Sequence, residues 1–116
     1  MTRRYRLRGA PAFEAVLRTG RRFDGKRLQV IAAPAAGDIG RVGYIIGSRQ
    51  LKRAIDRNRL KRMLREAIAS RRERLDGYDL VLRLRRSCAP EELAAAALEA
   101  AALLDTLPVR ARQPNR

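Results

Sequence analysis

Between Arg53 and Arg71 the chain alternates apolar and basic residues at a spacing only a helix can use. At 100° per residue, Leu60, Met63, Leu64, Ala67 and Ile68 fall within an arc of about 140°, while Asn58, Arg59, Lys61, Arg62 and Arg65 fill the opposite arc. Such a segment must bury one face and offer the other to something negative. From Arg53 to Arg65 there are six basic residues against Asp56 alone, and like charges at i,i+4, such as Lys61 and Arg65, repel without a partner. Ile55 lies off the apolar arc and is read as part of an irregular entry turn.

The elements around this helix follow from turn chemistry. Residues 1–10 read as a basic arm. Pro11 suits the first turn of a short helix carrying Phe13, Val16 and Leu17 on one face, and Gly20 ends it. Arg21 to Phe23 predicts a short strand, and residues 27–33 a strand in which Leu28, Val30 and Ala32 alternate with Gln29 and Ile31. A Gly/Ala/Pro turn leads to a strand at 41–47 with Val42, Tyr44 and Ile46 on one face. Beyond the basic helix, Asp76-Gly77 closes a loop and Tyr78–Leu84 forms the last strand. Pro90, Glu91 and Glu92 open a final helix with Leu93, Ala97, Ala100 and Leu104 inward, and residues 108–116 form a flexible tail. The order predicts an α+β fold, a two-layer α/β sandwich, with residues 11–107 as one domain.

Charge limits the partners. The 116 residues carry 27 Lys and Arg against 12 Asp and Glu, a net charge of +15, a self-repelling excess that a polyanion relieves. The excess is polarised: the first 27 residues hold +7, whereas residues 87–107 hold four acids and no base. The final helix is therefore expected to face away from nucleic acid. There is no His and a single cysteine, Cys88, so neither a disulfide within the chain nor a cysteine-based zinc site is available. Asp76 and Asp79 read as turn and strand residues rather than as metal ligands. No apolar run reaches the ~18 residues of a membrane span and no apolar stretch follows the basic start, which points to a cytoplasmic protein without membrane contact. Two residues stay open. Asn58 either reads a base edge or caps its helix, and Phe13 either stacks on an exposed base or joins the core.

The run Arg57-Asn58-Arg59-Leu60-Lys61-Arg62-Met63-Leu64-Arg65-Glu66-Ala67, with Phe13-x-x-Val16, Gly20, Arg41-Val42-Gly43, Ser48 and Gly77-Tyr78-Asp79 at matching distances, resembles the bacterial ribonuclease P protein component family. The resemblance implies a ribosomal-protein-like fold of order α-β-β-β-α-β-α, with a left-handed crossover carrying the basic helix. Parallel crossovers are otherwise almost always right-handed, so residue patterning alone does not suggest this feature. It implies a protein subunit that leaves catalysis to a large RNA. That RNA uses Mg²⁺ to cut precursor tRNA at its mature 5′ end, and the protein stably binds no cofactor and requires no protein partner. Arg53, Arg57, Asn58, Arg59, Lys61, Arg62 and Arg65 would contact the catalytic RNA. Phe13, Arg27 and Arg49 would line the cleft for the single-stranded 5′ leader of precursor tRNA.

The chain departs from the family pattern at Ser48-Arg49-Gln50-Leu51-Lys52-Arg53, where a glycine and one charge are lost. It also departs at Leu17 and Ile31, which replace frequent aromatics, and at Arg83 and Arg85, which add charge to the last strand. Leader contact is accordingly expected to rely less on stacking and more on arginine. A structural RNA-binding protein, such as a small ribosomal protein, and a DNA-compacting protein are the competing readings.

Overall fold

The structure, a computed structural model, describes residues 5–109. Helix α1 (Ala10–Thr19) precedes strands β1 (Arg21–Asp24), β2 (Leu28–Pro34) and β3 (Val42–Ile45). Helix α2 (Ala54–Ala69), a four-residue turn of helix α3 (Arg72–Leu75), strand β4 (Tyr78–Leu84) and helix α4 (Leu93–Asp105) follow, the last entered through a 3₁₀ turn at Pro90–Glu92. The sheet runs β1-β2-β4-β3, antiparallel except for the β3–β4 pair. The β3-to-β4 connection is thus a crossover between adjacent parallel strands, and α2 is its helix.

Strands β2 and β4 lie at the centre of the sheet, and both faces of each are covered. Leu28, Val30 and Ala32, with Leu80, Leu82 and Leu84, meet Leu60, Leu64 and Ile68 of α2 and Leu93, Ala96, Ala100 and Leu104 of α4. On the opposite face Ile31, Ala33 and Val81 pack with Leu7 and Val16 under α1. A strand buried on both sides needs a nearly unbroken apolar run, and this is why Ile31, read as alternating with the core residues, is itself wholly buried. Gln29, also buried, is held by Asp24, whose Oδ1 accepts from Nε2 at 2.7 Å.

Several expectations are corrected in detail. Ile55 belongs to the first regular turn of α2 rather than to an irregular entry, and is 66% exposed. Ala96 is fully buried on α4, while Ala97, expected inward, packs half-buried against the core, because α4 meets both α2 and β2 and its buried arc widens to include Ala96. The stretch read as loop before Asp76 contains α3. The basic arm is drawn partly into the fold: Arg6 bridges Val42, Leu7 N donates to Val42 O at 3.0 Å, and Leu7 is buried. Arg3, Arg4 and residues 110–116 of the tail lie outside the described residues. Gly9 takes φ 83° at the head of α1, a left-handed conformation that suits glycine.

The acids of α4 and its approach are largely engaged within the molecule. Glu99 Oε1 accepts from Arg27 N at 2.6 Å and from Leu28 N at 2.7 Å, pinning the helix to the start of β2. Glu92 and Glu99 both pair with the Arg27 guanidinium, at 3.2 and 3.5 Å. At the other end, Arg71 forms a two-pronged pair with Asp105, at 2.7 and 3.2 Å. Arg74 donates to the carbonyls of Asp105 and Leu107, and the Tyr78 hydroxyl to Pro108 O.

Replacing Leu64, wholly buried at the centre of α2, by Ala should cost about 2–4 kcal/mol of stability through lost burial and a cavity. Arg62→Ala, on the exposed side, should leave the thermal midpoint nearly unchanged. Thermal melts of both variants check the assignment of the two helix faces.

The ion pairs also set a pH dependence. Hydrogen bonds from Ala89 N and Arg27 lower the pKa of Glu92, and Arg71 lowers that of Asp105. A depressed carboxyl pKa stabilises the fold above the unfolded value, roughly pH 4 for these groups, and the gain is lost as pH falls through the folded value. The melting temperature of the parent should therefore exceed that of a Glu92→Gln/Asp105→Asn variant at pH 7, and the gap should close on acidification below about pH 5. A gap independent of pH would show that these pairs add nothing to stability.

Candidate nucleic-acid interface

Helix α2 delivers its charges in two directions. Its inner residues Leu60, Leu64 and Ile68 clamp it to the sheet, so the rotation of the outer side chains is determined by packing. Arg53, Asn58, Arg59 and Arg62 stand exposed on the outside. Arg57 is turned to another use: its Nη1 donates to Leu51 O at 2.7 Å and Lys52 O at 2.8 Å, holding the loop that enters the helix. Asp56, buried in the first turn, places its charge where the helix dipole favours it.

Lys61 and Arg65 point instead to the outer edge of β3. Together with Arg6, Leu7, Phe13, Val42, Gly43 and Tyr44 they line a cavity of about 320 Å³. The Phe13 ring crosses over Gly43 so closely that a Cβ there would lie 2.5 Å from Cε2. Phe13 therefore joins the α1 side of the core and at the same time walls the groove. Tyr44 borders the groove from the other face of β3, its ring 5.9 Å from the Arg65 guanidinium carbon. Burial pushes its hydroxyl pKa up to about 12, against the opposing charges of Arg65 and Arg72, so the group remains a protonated donor.

The residues assigned to one leader cleft do not come together as a set. Phe13 lines the groove, but Arg27 is held on the α4 side of the sheet by Glu92 and Glu99. Arg49 is exposed on the turn before α2 and does not line the cavity. Arg83 supplies the charge on the α1 side: two residues beyond Val81 on β4, it stands exposed on the same face of the sheet. Arg85 pairs with Asp24 at 3.4 Å. Arg6, Gly43 and Tyr44 were not singled out as site residues by the sequence. Tyr44 read as a core residue of an alternating strand, and no local signal placed Arg6 beside it.

Among the described residues no group of three or more His, Cys, Asp or Glu could hold a metal ion. Asp79 receives hydrogen bonds from Ala36 N at 3.1 Å and Arg41 N at 3.0 Å, and Asp76 pairs with Arg72 at 3.6 Å. Both serve turns. No helix of the described residues is long and apolar enough to cross a membrane.

A basic helix locked onto a sheet beside a groove with two aromatic rings and three cations defines an RNA-binding α/β protein. Comparison with known proteins makes the class specific. The ribonuclease P family model matches residues 1–107. The ribonuclease P protein component of Nitrosomonas eutropha is 39% identical over 101 residues, covering 85% of this chain and 84% of its own. That of Roseiflexus castenholzii is also 39% identical over 101 residues, covering 86% and 81%. In fold, the chain superposes on the RNase P protein from Staphylococcus aureus with a TM-score of 0.75 at 18% identity, covering 99% of this chain and 98% of that one. For the protein from Thermotoga maritima the TM-score is 0.72 at 23% identity, covering 88% and 96%. This chain belongs to the ribonuclease P protein family.

The contact between Phe13 and Gly43 yields a test of the groove. Gly43→Ala should destabilise the protein by about 1–3 kcal/mol by overpacking. Adding Phe13→Ala should cost less in that background than in the parent, because the clash has been removed. A double-mutant cycle on thermal or urea unfolding reads the coupling, and additive effects would show that the ring does not rest on the glycine.

Proposed function

We propose that this chain is the non-catalytic protein subunit of ribonuclease P, binding the catalytic RNA and the 5′ leader of precursor tRNA so that the RNA cleaves the mature 5′ end. The observation that carries the reading is the family match over residues 1–107, in a chain whose helix α2 exposes Asn58, Arg59 and Arg62 and turns Lys61 and Arg65 into a groove walled by Phe13. Residues 11–107 act as the RNA-binding domain, residues 1–10 as a basic arm and 108–116 as a tail, and the protein works in the cytoplasm.

The chain's contribution is electrostatic and positional. Arg53, Asn58, Arg59 and Arg62 meet the catalytic RNA, where each neutralised phosphate releases counterions. Arg57 orients the helix entry through the Leu51 and Lys52 carbonyls and presents its remaining donors to RNA. Lys61 and Arg65 reduce repulsion between the catalytic RNA and the substrate strand entering beside Phe13, and Arg49 and Arg83 extend the positive surface on either side. Arg27, committed to Glu92 and Glu99, supports the sheet rather than the leader. The Mg²⁺ used in phosphodiester hydrolysis belongs to the RNA.

RNA-free protein incubated with precursor tRNA should cleave nothing, while adding it to a bacterial ribonuclease P RNA at physiological salt should restore cleavage at the mature 5′ end. Cleavage by RNA-free protein would overturn the reading. An Arg59→Ala/Arg62→Ala variant should keep its melting temperature and bind the catalytic RNA more weakly. Its slope of log affinity against log salt should fall by roughly 1–2, as expected for two lost phosphate contacts.

A further inference from the structure

Tyr44 and Arg72 share an unusual condition. The Tyr44 hydroxyl is buried without a hydrogen-bond partner, and so are Nε and Nη1 of Arg72. Buried polar groups in folded proteins are almost always paired, and an orphan calls for an explanation. These orphans belong to one neighbourhood. Arg72 Nη2 donates to Gly40 O at 2.6 Å, which places its guanidinium near the start of β3, and its charge acts on the Tyr44 hydroxyl. Tyr5 stacks on Arg72 at 4.3 Å, and the next residue, Arg6, bridges Val42. Arg65 lies over the Tyr44 ring.

The chemistry of this cluster is one-sided. The Arg65 and Arg72 guanidiniums are donors without acceptor capacity, and the Tyr44 hydroxyl, kept protonated, has a hydrogen to give. Among the described residues the carboxylate paired with Arg72 is that of Asp76, at Nη2 and 3.6 Å, and Nε and Nη1 have no acceptor. A base edge presents donors and acceptors together, whereas converging donors with excess positive charge suit an anionic oxygen. The cluster also adjoins the groove lined by Phe13, Lys61 and Arg6.

We propose that Tyr44, Arg65 and Arg72 form a phosphate clamp at the β3 edge, which grips one phosphodiester of the single-stranded RNA lying in the adjoining groove. The clamp rests on the proposed function for the identity of the strand. In the free protein Arg65 covers the Tyr44 ring and Tyr5 the Arg72 guanidinium, and on binding both turn aside to admit the phosphate. The Tyr44 hydroxyl then gains the acceptor it lacks, and the Arg72 guanidinium engages through the donors not used by Gly40 and Asp76. The unpaired hydroxyl costs the free protein stability that the bound state recovers. The ring also supplies, from β3, an aromatic surface that Leu17 and Ile31 do not provide.

Tyr44→Phe separates this role from a structural one, since it deletes the hydroxyl and keeps the ring. RNA-free Tyr44→Phe protein should melt at the parent temperature or above it. Holoenzyme made with it should bind leader-bearing precursor tRNA about tenfold more weakly, the scale of one charge-assisted hydrogen bond, and bind the same tRNA without its leader as the parent does. Its salt slope should be unchanged, while Arg65→Gln should lower the slope by roughly 1. A lower melting temperature in Tyr44→Phe, unchanged affinity for the leader-bearing substrate, or an equal loss with the leaderless one would overturn the clamp. Melting parent and variant in inorganic phosphate distinguishes a free anion from a strand. A phosphate-dependent rise that Tyr44→Phe abolishes, with leader-dependent binding intact, would overturn the strand assignment. Parent holoenzyme with no leader dependence would remove the proposed function, and the clamp would then stand or fall on the phosphate shift alone.

Discussion

The docking of Leu60, Leu64 and Ile68 against β2 and β4 is the constraint on which the rest of the molecule depends. A crossover helix between adjacent parallel strands has no short-range hydrogen bonds to the sheet, so apolar burial alone sets its rotation. With those three side chains wholly buried, Asn58, Arg59 and Arg62 must face outward and Lys61 and Arg65 must flank β3. A small rotation of α2 would bury a guanidinium, at a cost that burial of another methylene could not offset. The apolar arc therefore acts as the positioning device for the basic one.

A net charge of +15 would also be expected to loosen a chain of this size, and the fold moderates it by sorting its charges. Glu92 and Glu99 hold Arg27, Asp105 holds Arg71, and Asp24 holds Arg85, so much of the acid neutralises bases at the seams between α4, the sheet and α3. On α2, by contrast, Arg59, Lys61, Arg62 and Arg65 have no ion pair with an acid among the described residues. Binding surface and scaffold are thus distinguished by how their arginines are paired, since the residue type is the same in both. Arg74, whose hydrogen bonds go to backbone carbonyls, belongs to the scaffold, while Arg57 and Arg72 stand between the two, each held through one nitrogen to a carbonyl with further donors left over.

Much of the architecture was legible in local patterning. Tyr78–Leu84 reads as a strand from its apolar run after Asp-Gly, and α1 from Pro11 and Gly20, because these signals act within a few residues and tertiary contacts reinforce them. The misreadings came where two elements compete for one residue. Ile31 alternates with Leu28 and Val30 in sequence, yet α1 covers the second face of β2. Ala97 and Ala96 are interchangeable by composition, and the packing of α4 on both α2 and β2 chose between them. Arg27 carries no sequence mark that separates it from Arg49 or Arg59; its neutralisation depends on Glu99, 72 positions away.

The sequence by itself determined the class of protein, because periodicity, charge and the Arg57–Ala67 motif are properties of neighbouring residues. It determined that α2 has an apolar and a basic face, that charge is concentrated away from α4, and that the chain has neither histidine nor a second cysteine for metal or redox chemistry. Only the tertiary structure decided which arginines are free to bind. It also brought Phe13, Gly43, Tyr44 and Arg65 to one groove, and left the Tyr44 hydroxyl and two Arg72 nitrogens without partners. Those outcomes depend on the parallel pairing of β3 with β4 and on the arm pairing at Val42, contacts between segments distant in the chain. No local signal encodes them, because the free energy that selects them comes from burial shared among all the elements at once.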